Sequence, residues 1–499
     1  MFESADSPRS IDKEAYERAL PPLREQLLKA QYALLESKAF PVVLVAAGVP
    51  CAGRGETVRA LSEWLDPRHL QVHAMGVPSD EELERPPMWR FWRRLPPKGK
   101  IGVFFGSWYT QPIVAHALKR SGERRLGESL SEVSRFERML SDEGALILKF
   151  WFHLPKKEQQ QRLDKLWQDK STRYRVTAED RKRSAHYDEF RATSERALRE
   201  THAPHAPWLV LSGHDDRLRN LSAGQHLLEA LESRLGSLDN PRPASTRAAS
   251  TPAAPRDTVP VLRSLDLTRS VDEVDYKRRL AKHQSRLAQL TRKRRFSELS
   301  VVLVFEGMDA AGKGGAIRRV TQALDARTYD VHSIAAPSDE ERAQPYLWRF
   351  WRHAPRDGKF AIFDRSWYGR VLVERIEGFA KESEWRRAYD EINDFERQLQ
   401  QAGNVVVKFW LQISKEMQLE RFQEREQTPF KRFKITPEDW RNREKWDAYQ
   451  LAASDMIERT STELAPWTLV EAEDKHFARV KVVRSICEAV EGWLERTSR

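Results

Sequence analysis

Short apolar runs alternate with longer amphipathic segments along the second half of the chain. Four runs are rich in β-branched and aromatic residues and predict strands at 301–306, 360–364, 405–411 and 467–470. The spacing of apolar and charged positions predicts helices over 316–324, 385–400 and 441–460. Continuously apolar strands separated by helices indicate an α/β fold, in which helices cover both faces of a parallel sheet.

The same pattern occurs twice, at a constant offset of 259 residues. Residues 71–92 (QVHAMGVPSDEELERPPMWRFW) and 330–351 (DVHSIAAPSDEERAQPYLWRFW) share 12 identities in 22 positions. The chain is therefore a tandem duplication, and we expect two domains, at 1–236 and 258–499. Between them, residues 237–257 are rich in Pro, Ala, Ser and Thr, so they predict a flexible linker.

The composition is that of a soluble protein with a heavily charged surface, since 32% of the 499 residues are charged and 40% are hydrophobic. No apolar stretch approaches the roughly 18 residues that a membrane span needs, and no secretory signal is visible. With only two cysteines, a disulfide framework is excluded and we expect a cytoplasmic protein. The net charge of +11 favours a polyanionic partner such as nucleic acid, an anionic membrane or a phosphate-rich substrate, or else is only a basic solvated surface.

The segment GMDAAGKGG, 307–315, has the features of a phosphate-binding loop. Gly307, Gly312 and Lys313 fit the pattern G-x-x-x-x-G-K between a predicted strand and a predicted helix. Backbone amides of such a loop point at the phosphate, and the lysine reaches an outer phosphate. Gly314, which we group with the phosphate-binding residues, stands where Ser or Thr would ordinarily offer a hydroxyl to Mg²⁺.

Two aspartates are therefore the candidate Mg²⁺ ligands, because this ion usually takes one or two carboxylates and completes its shell with water and phosphate oxygens. Asp309 lies inside the loop, where it could instead be a turn residue, and Asp364 ends the next predicted strand. Arg365 follows Asp364 at the carboxyl end of that strand, where open α/β sheets place their ligands. We expect Lys313, Asp364 and Arg365 to be catalytic.

Further basic groups follow along the second half. Arg349 and Arg352 lie in LWRFWR with two tryptophans, which either hold a nucleotide or pack in the core. Arg370 is a third nucleotide-binding candidate, although its spacing from Glu374 also fits a surface ion pair. A later basic segment could close over phosphates as a lid, with Arg425 acting in transfer and others binding phosphate. Those others are Arg421, Lys431 and Lys434.

Together these segments resemble the second family of polyphosphate kinases, whose fold is similar to thymidylate kinase. The matching segments are GMDAAGKGG, FDRSWYGRVLVERIEG, KFWLQISKEMQLERFQER and TSTELAPWTLVEAEDKHFAR, and the resemblance extends over essentially all of 260–499. The resemblance implies a tandem P-loop kinase with three α/β/α layers in each domain. It also implies transfer of a phosphoryl group from inorganic polyphosphate to AMP, giving ADP, with Mg²⁺ bound by Asp309 and Asp364. The two-domain arrangement resembles the class that phosphorylates AMP.

The first half keeps the scaffold of the loop but not its functional residues. Asp309, Lys313 and Asp364 correspond to Pro50, Arg54 and Phe105, and Arg365 and Arg425 correspond to Gly106 and Leu166. Without the two carboxylates this half cannot bind Mg²⁺ in the same way. We therefore expect domain 1–236 to be catalytically inactive and structural, while Arg54 leaves a residual anion-binding role open.

Two other functions stay open on the sequence alone, an ATP-dependent nucleotide or nucleoside kinase and a non-catalytic polyanion-binding protein. The second does not explain two aspartates beside a lysine-bearing loop, so we expect neither nucleic acid nor a membrane as partner. Adenine or guanine preference, monophosphate or diphosphate acceptor, polyphosphate chain length and assembly, including a homo-oligomer, are not fixed by the sequence.

Overall fold

The computed structural model describes residues 2–239, 261–429 and 432–496. Its described residues divide into two compact units, one formed mainly by residues 2–78 and 90–239 and the other mainly by residues 261–337 and 346–496. The short segment Ser79–Trp89 is grouped with the second unit and Ser338–Pro345 with the first.

The first half of the chain contains a five-stranded parallel sheet of order β2-β3-β1-β4-β5. Its strands are β1 (Val42–Gly48), β2 (Leu70–Ala74), β3 (Ile101–Phe105), β4 (Leu146–His153) and β5 (Trp208–Ser212). The helices of this half are α1 (Glu3–Asp6), α2 (Lys13–Ser37), α3 (Arg54–Trp64), α4 (Asp80–Leu83), α5 (Trp89–Trp92), α6 (Thr110–Ala117), α7 (Glu123–Asp142), α8 (Lys156–Gln168), α9 (Ala178–Ala185), α10 (Tyr187–Thr201) and α11 (Asp216–Asp239).

The second half repeats this topology, with strand order β10-β9-β6-β8-β7 and parallel pairing throughout. Its strands are β6 (Val301–Gly307), β7 (Tyr329–Ser333), β8 (Phe360–Asp364), β9 (Val405–Gln412) and β10 (Trp467–Glu471). Its helices are α12 (Glu273–Leu290), α13 (Lys313–Thr321), α14 (Asp339–Arg342), α15 (Trp348–Trp351), α16 (Val373–Ile376), α17 (Glu382–Gln401), α18 (Lys415–Gln427), α19 (Pro437–Glu444), α20 (Trp446–Thr460) and α21 (Lys475–Arg496).

The predicted α/β fold and the duplication are confirmed. The central strand β6 is buried from Val301 through Glu306, as expected for a strand with helices packed on both faces. The four predicted strands of the second half occur within one residue of their expected ends. Each sheet places the carboxyl ends of β-strands and the following loops at one edge, which is where the candidate site residues lie.

Three details differ from the sequence expectation. Strand β7 was not predicted, because it is an edge strand with polar, exposed positions, so Asp364 ends the second strand after the phosphate loop along the chain. The single helix expected over 441–460 is wrong, since α19 ends at Glu444 and α20 begins at Trp446. Helix α11 continues to Asp239, and the rest of the predicted linker, 240–257, lies outside the described residues.

A buried charge pair fixes the segment that follows β8. The Lys408 ammonium donates to the Glu396 carboxylate at 2.7 Å, and both side chains are almost fully buried. Glu396 also accepts from Trp367 Nε1 at 3.0 Å and from the Tyr368 hydroxyl at 2.6 Å, while Lys408 donates to the Thr460 carbonyl. Because buried charges are tolerated only when they are paired and hydrogen-bonded, this network holds residues 366–368 in one position, immediately after Asp364 and Arg365.

Candidate active site

The segment from Gly307 to Gly312 connects β6 to α13 as a tight loop. Gly307 has a φ of 146°, and a Cβ atom there would lie 2.4 Å from the Leu411 carbonyl oxygen, so no larger residue fits. Ala310 and Gly312 are left-handed, with φ of 63° and 107°. Helix α13 then begins at Lys313 with no side-chain cap, and Gly314 lies in its first turn. The first amides of the helix are thus available to an anion.

Lys313 stays close to the loop that precedes it. Its ammonium donates to the Gly307 carbonyl at 2.8 Å and contacts the Met308 carbonyl at 3.4 Å. This places a positive charge at the mouth of the loop, beside the amides of α13. The predicted phosphate-binding residues Gly307, Gly312, Lys313 and Gly314 therefore lie together at the carboxyl end of β6.

Asp309 and Arg365 form the ion pair at the centre of the site. Arg365 Nη2 lies 3.2 Å from Asp309 Oδ1, and the other Asp309 oxygen accepts from Asn442 Nδ2 at 2.9 Å. Burial opposes ionisation of Asp309, but the charges of Lys313 and Arg365 outweigh burial and lower the pKa of this carboxyl below its usual value. Asp309 is therefore ionised at neutral pH.

Arg365 is itself held in an unusual conformation, with a left-handed φ of 62°. The adjacent Asp364 ends β8 and is half-buried. Burial disfavours the charged form of Arg365, yet Asp309 and the other surrounding carboxylates, Asp364 among them, raise its pKa. The turn after β8 thus directs the guanidinium to Asp309, so that residues far apart in sequence share one electrostatic site.

Glu306 is a further carboxylate that sequence reasoning missed. It is 5% exposed, and its Oε1 accepts from the Ser366 hydroxyl at 2.8 Å. Burial raises its pKa above the usual value, although Ser366 and the cations Lys313 and Arg365 oppose this. The available signal was an acidic residue in an otherwise apolar strand, at a position occupied by Ala47 in the first half.

These groups border a cavity at the carboxyl edge of the sheet. Its polar lining includes Glu306, Asp309 and Arg365, and its apolar lining includes Leu372 and Trp410. Asn442 and Tyr449, which sequence reasoning also missed, line it and bond to each other at 3.3 Å. The cavity thus combines charge at the phosphate loop with an apolar wall, which suits a ligand carrying both a phosphate and a planar group.

The donor set fits Mg²⁺. Within the described residues no cluster of three or more His, Cys, Asp or Glu side chains is placed to hold a metal ion. Asp309 and Asp364 would therefore be the protein ligands, and water and phosphate oxygens would complete the shell. Hard oxygen donors and few protein ligands are the pattern typical of Mg²⁺ rather than of Zn²⁺.

The basic residues of the predicted lid lie in different environments. Arg421 is 4% exposed, and its guanidinium donates to the carbonyls of Ala310 and Ala472. Arg425 is half-buried and lies one turn further along α18. Burial lowers the pKa of Arg421, and the positive charge of Arg425 also lowers it. Lys434 ends the 3-10 turn Arg432–Lys434, whereas Lys431 lies outside the described residues.

The three predicted nucleotide-binding arginines do not line the cavity around Asp309. Arg349 donates to the Ala335 carbonyl at 3.0 Å, and Arg352 lies over the Trp348 ring. Trp348 and Trp351 are buried, so the core interpretation of the tryptophans is confirmed. Arg370 Nε lies 3.0 Å from Glu374 Oε2, which confirms their ion pair, and the guanidinium of Arg370 lies over the Tyr346 ring.

The first half retains the backbone of the loop after losing its side chains. Gly48, Cys51 and Gly53 have φ of 155°, 61° and 90°, close to those of their counterparts Gly307, Ala310 and Gly312. Arg54 begins α3 where Lys313 begins α13. The scaffold has therefore been preserved without the two aspartates.

None of the helices in the described ranges combines the length and apolar character that a membrane span requires.

The family model for polyphosphate kinase 2 matches the chain twice, over residues 10–237 and 270–497. The chain is 56% identical over 491 residues to a polyphosphate:AMP phosphotransferase of Pseudomonas aeruginosa, covering 98% of this chain and 99% of the relative. It is 40% identical over 466 residues to a polyphosphate:AMP phosphotransferase of Acinetobacter johnsonii, covering 92% and 94%.

A crystal structure of a chain assigned to polyphosphate kinase 2, from Pseudomonas aeruginosa PA01, superimposes with a TM-score of 0.89 at 54% identity, and the match covers 100% of both chains. The two family matches coincide with the duplicated halves, and the relatives match the chain over nearly its whole length. On these grounds the chain belongs to the polyphosphate kinase 2 family.

Proposed function

We propose that this chain is a phosphotransferase that moves the terminal phosphoryl group of inorganic polyphosphate to AMP, giving ADP. Relatives that match it over nearly their whole length carry the name polyphosphate:AMP phosphotransferase. The observation that carries the assignment is the meeting of Asp309 and Arg365 at 3.2 Å beside the phosphate loop. An aspartate and an arginine that line one cavity, with a loop lysine beside them, are groups of the kind that phosphoryl transfer uses.

In this reaction an oxygen of the AMP phosphate attacks the terminal phosphorus of polyphosphate. The bond from that phosphorus to the next bridging oxygen breaks, so ADP and a polyphosphate one unit shorter are the products. Negative charge accumulates on the transferred group and on the leaving oxygen, and the residues act mainly by positioning and by charge stabilisation. We assign the loop amides from Gly312 to Gly314 and the Lys313 ammonium to the polyphosphate end.

Arg365 and Arg425 are proposed to stabilise the charge of the transferred group. Arg365 is held above the loop by Asp309 and by its left-handed backbone, so it is positioned before substrate binds. Arg425, on α18, is proposed to act from the lid side, with Lys431 and Lys434 retaining the polyphosphate chain. Arg421 is included as a phosphate-binding candidate, although its nitrogens Nη1 and Nη2 donate to backbone carbonyls.

Asp309 and Asp364 are the residues that would hold Mg²⁺. When bound, this ion neutralises phosphate charge and orients the transferred group. Arg349, Arg352 and Arg370 are proposed to contact the nucleotide from outside the cavity around Asp309. We place the reaction in the cytoplasm, with polyphosphate and AMP as partners and with neither nucleic acid nor a membrane; the two free thiols, Cys51 and Cys487, support a reducing setting.

The experiment uses the purified full-length chain with AMP, polyphosphate and Mg²⁺, and the nucleotide products are separated by anion-exchange chromatography. ADP should form only when polyphosphate is present. ATP supplied as the donor in place of polyphosphate should give far less product, and Lys313→Ala protein should give almost none. Efficient phosphorylation of AMP by ATP, with none by polyphosphate, would contradict the assignment.

A further inference from the structure

The first half has a cavity at the same place as the active-site cavity of the second half. It is lined by the loop residues Gly48, Val49 and Pro50 and by Arg54 and Arg183, with Phe190 and Trp151 in its apolar wall. Thus the loss of the catalytic groups has not filled the site. The lining of this cavity differs from that of the second half in its charge, because acidic side chains are lost.

The first half has lost carboxylates of the site, together with the cation of Arg365, which corresponds to Gly106. The carboxylates Glu306, Asp309 and Asp364 correspond to the uncharged residues Ala47, Pro50 and Phe105. Glu438, which also lines the active-site cavity, corresponds to Glu179, whose Oε1 lies 3.4 Å from Arg183 Nε. At two further positions, Lys313 corresponds to Arg54 and Asn442 corresponds to Arg183. The cavity of the first half therefore favours an anion and has lost the ligands for a divalent cation.

Arg54 lies in this cavity without a carboxylate partner. Its guanidinium stacks over the Phe105 ring at 4.0 Å, and it makes neither a hydrogen bond nor an ion pair with any residue in the described ranges. Burial, together with the nearby charge of Arg183, lowers its pKa to about 10, while the charge of Asp180 opposes this, so it is still charged at neutral pH. A half-buried cation without a directly bonded counter-ion is unfavourable, and a bound anion would reduce that cost.

Other hydrogen-bond donors around this cavity also lack an acceptor in the described part of the chain. Helix α3 starts at Arg54 with Gly53 at its N-cap and no side-chain cap. Trp151 is 4% exposed and its Nε1–H has no acceptor among the described residues, whereas the corresponding Trp410 donates to Gln412 at 2.8 Å. A third cation is close, because a Cβ on Gly53 would lie 2.1 Å from the Arg219 guanidinium carbon. Anionic oxygens would satisfy donors of this kind.

From these observations we infer that the first half binds a phosphate group in this cavity, without a metal ion and without transferring the group. The ligand is a phosphate-bearing anion, either the end of a polyphosphate chain or a nucleoside monophosphate. Its oxygens lie at the amides of α3 and at Arg54 and Arg183. This second site is independent of the proposed reaction, because it needs none of the residues assigned to transfer.

The test is isothermal titration calorimetry of the full-length chain with tripolyphosphate, in buffer containing EDTA. The Lys313→Ala variant weakens the active site, so that binding in the first half can be observed alone. In this background we expect one metal-free site. A further Arg54→Ala substitution should weaken it by about tenfold or more, because a charge-assisted contact to phosphate is lost. Arg54→Lys should keep affinity within about threefold, because the charge is retained.

Arg59→Ala is the matched control, because Arg59 lies on the same helix α3 with its exposed side chain 3.9 Å from Glu63. It should leave affinity unchanged. A parallel titration with AMP distinguishes the two ligand sources, since the tighter of the two ligands identifies the class. If the Lys313→Ala protein binds neither ligand, or if Arg54→Ala in that background binds as tightly as Arg59→Ala, the inference is wrong.

Discussion

Arg421 and Arg162, 259 positions apart, make the same contact in their respective halves. Arg421 Nη1 donates to the carbonyl of Ala310 at 2.9 Å, and Arg162 Nη1 lies 3.4 Å from the carbonyl of Cys51, which is the counterpart of Ala310. Nη2 of Arg421 donates to the backbone carbonyl of Glu473 at 2.7 Å, and Nη2 of Arg162 donates to the backbone carbonyl of the corresponding His214 at 2.8 Å. Because the contact is also present in the half that lacks the catalytic groups, we infer that it stabilises the conformation of the loop.

For Arg421 this contact favours a positioning role over the direct phosphate contact that the sequence suggested. Arg421→Ala should lower kcat by roughly 10- to 100-fold, because the left-handed turn at Ala310 loses its support and the loop amides shift. Arg421→Lys should fail to rescue kcat, since one ammonium cannot replace two separated guanidinium donors. The measurement is steady-state kinetics over a range of polyphosphate concentrations.

Arg162→Ala is the control, because it removes the same support from the half that lacks the aspartates. It should lower Tm by a similar amount while changing kcat much less. If Arg421 instead contacts phosphate directly, its substitution would mainly raise the KM for polyphosphate, and Arg421→Lys would largely restore it.

The second prediction concerns the metal. Asp309→Asn and Asp364→Asn keep side-chain size but remove charge, so each should slow turnover by about 100-fold or more at ordinary Mg²⁺. The measurement is the Mg²⁺ dependence of the initial rate. Asp390→Asn, at an exposed position on α17, is the control and should behave like the parent chain. Near-normal turnover of Asp364→Asn would contradict its assignment as a ligand.

The duplication, the parallel sheets and the phosphate loop could be predicted because each produces a recognisable pattern within short stretches of sequence. Strand β7 escaped prediction, since the segment YDVHS is short, lies at a sheet edge and has no fully buried position. Asn442 escaped for another reason, because its bond to Asp309 spans 133 residues and no local pattern marks an amide that caps a distant carboxylate. The break between α19 and α20 was missed since Lys445 is compatible with a continuous helix.

The third prediction separates the roles of the lid residues. Arg425→Ala should lower kcat, because its charge stabilises the transferred group, whereas Lys431→Ala should mainly raise the KM for polyphosphate. Both are measured by varying polyphosphate at saturating AMP. The reverse pattern, with kcat falling in Lys431→Ala and KM rising in Arg425→Ala, would show that the roles are exchanged.

The fourth prediction concerns the buried pair of Lys408 and Glu396. Lys408→Met leaves the Glu396 carboxylate buried without its cation, so we expect a loss of about 3–5 kcal/mol of stability in the second half. Adding Glu396→Gln should recover much of this loss, because the uncompensated charge is removed. Thermal unfolding followed by circular dichroism measures both variants. Equal Tm for the single and double variants would mean that the charge is not the cause.

The last prediction uses the pH dependence of the first half. His153 is fully buried, with Nε2 2.9 Å from Asp6 Oδ1 and its ring stacked on Phe2. Burial lowers its pKa below the usual value, and the hydrogen bond to Asp6 only partly opposes this. Between that lowered pKa and about 6.5 the unfolded chain binds more protons than the folded chain, so stability must fall as pH falls through this window.

Replacing His153 by Gln, the residue at the corresponding position 412, removes this titration. The decrease in Tm between pH 7.5 and pH 5 should therefore be smaller in His153→Gln than in the parent chain. His226→Gln is the matched control, since that histidine is exposed on α11, and it should leave the decrease in Tm unchanged. A decrease in Tm that is the same in all three proteins would show that the buried imidazole does not contribute to acid sensitivity.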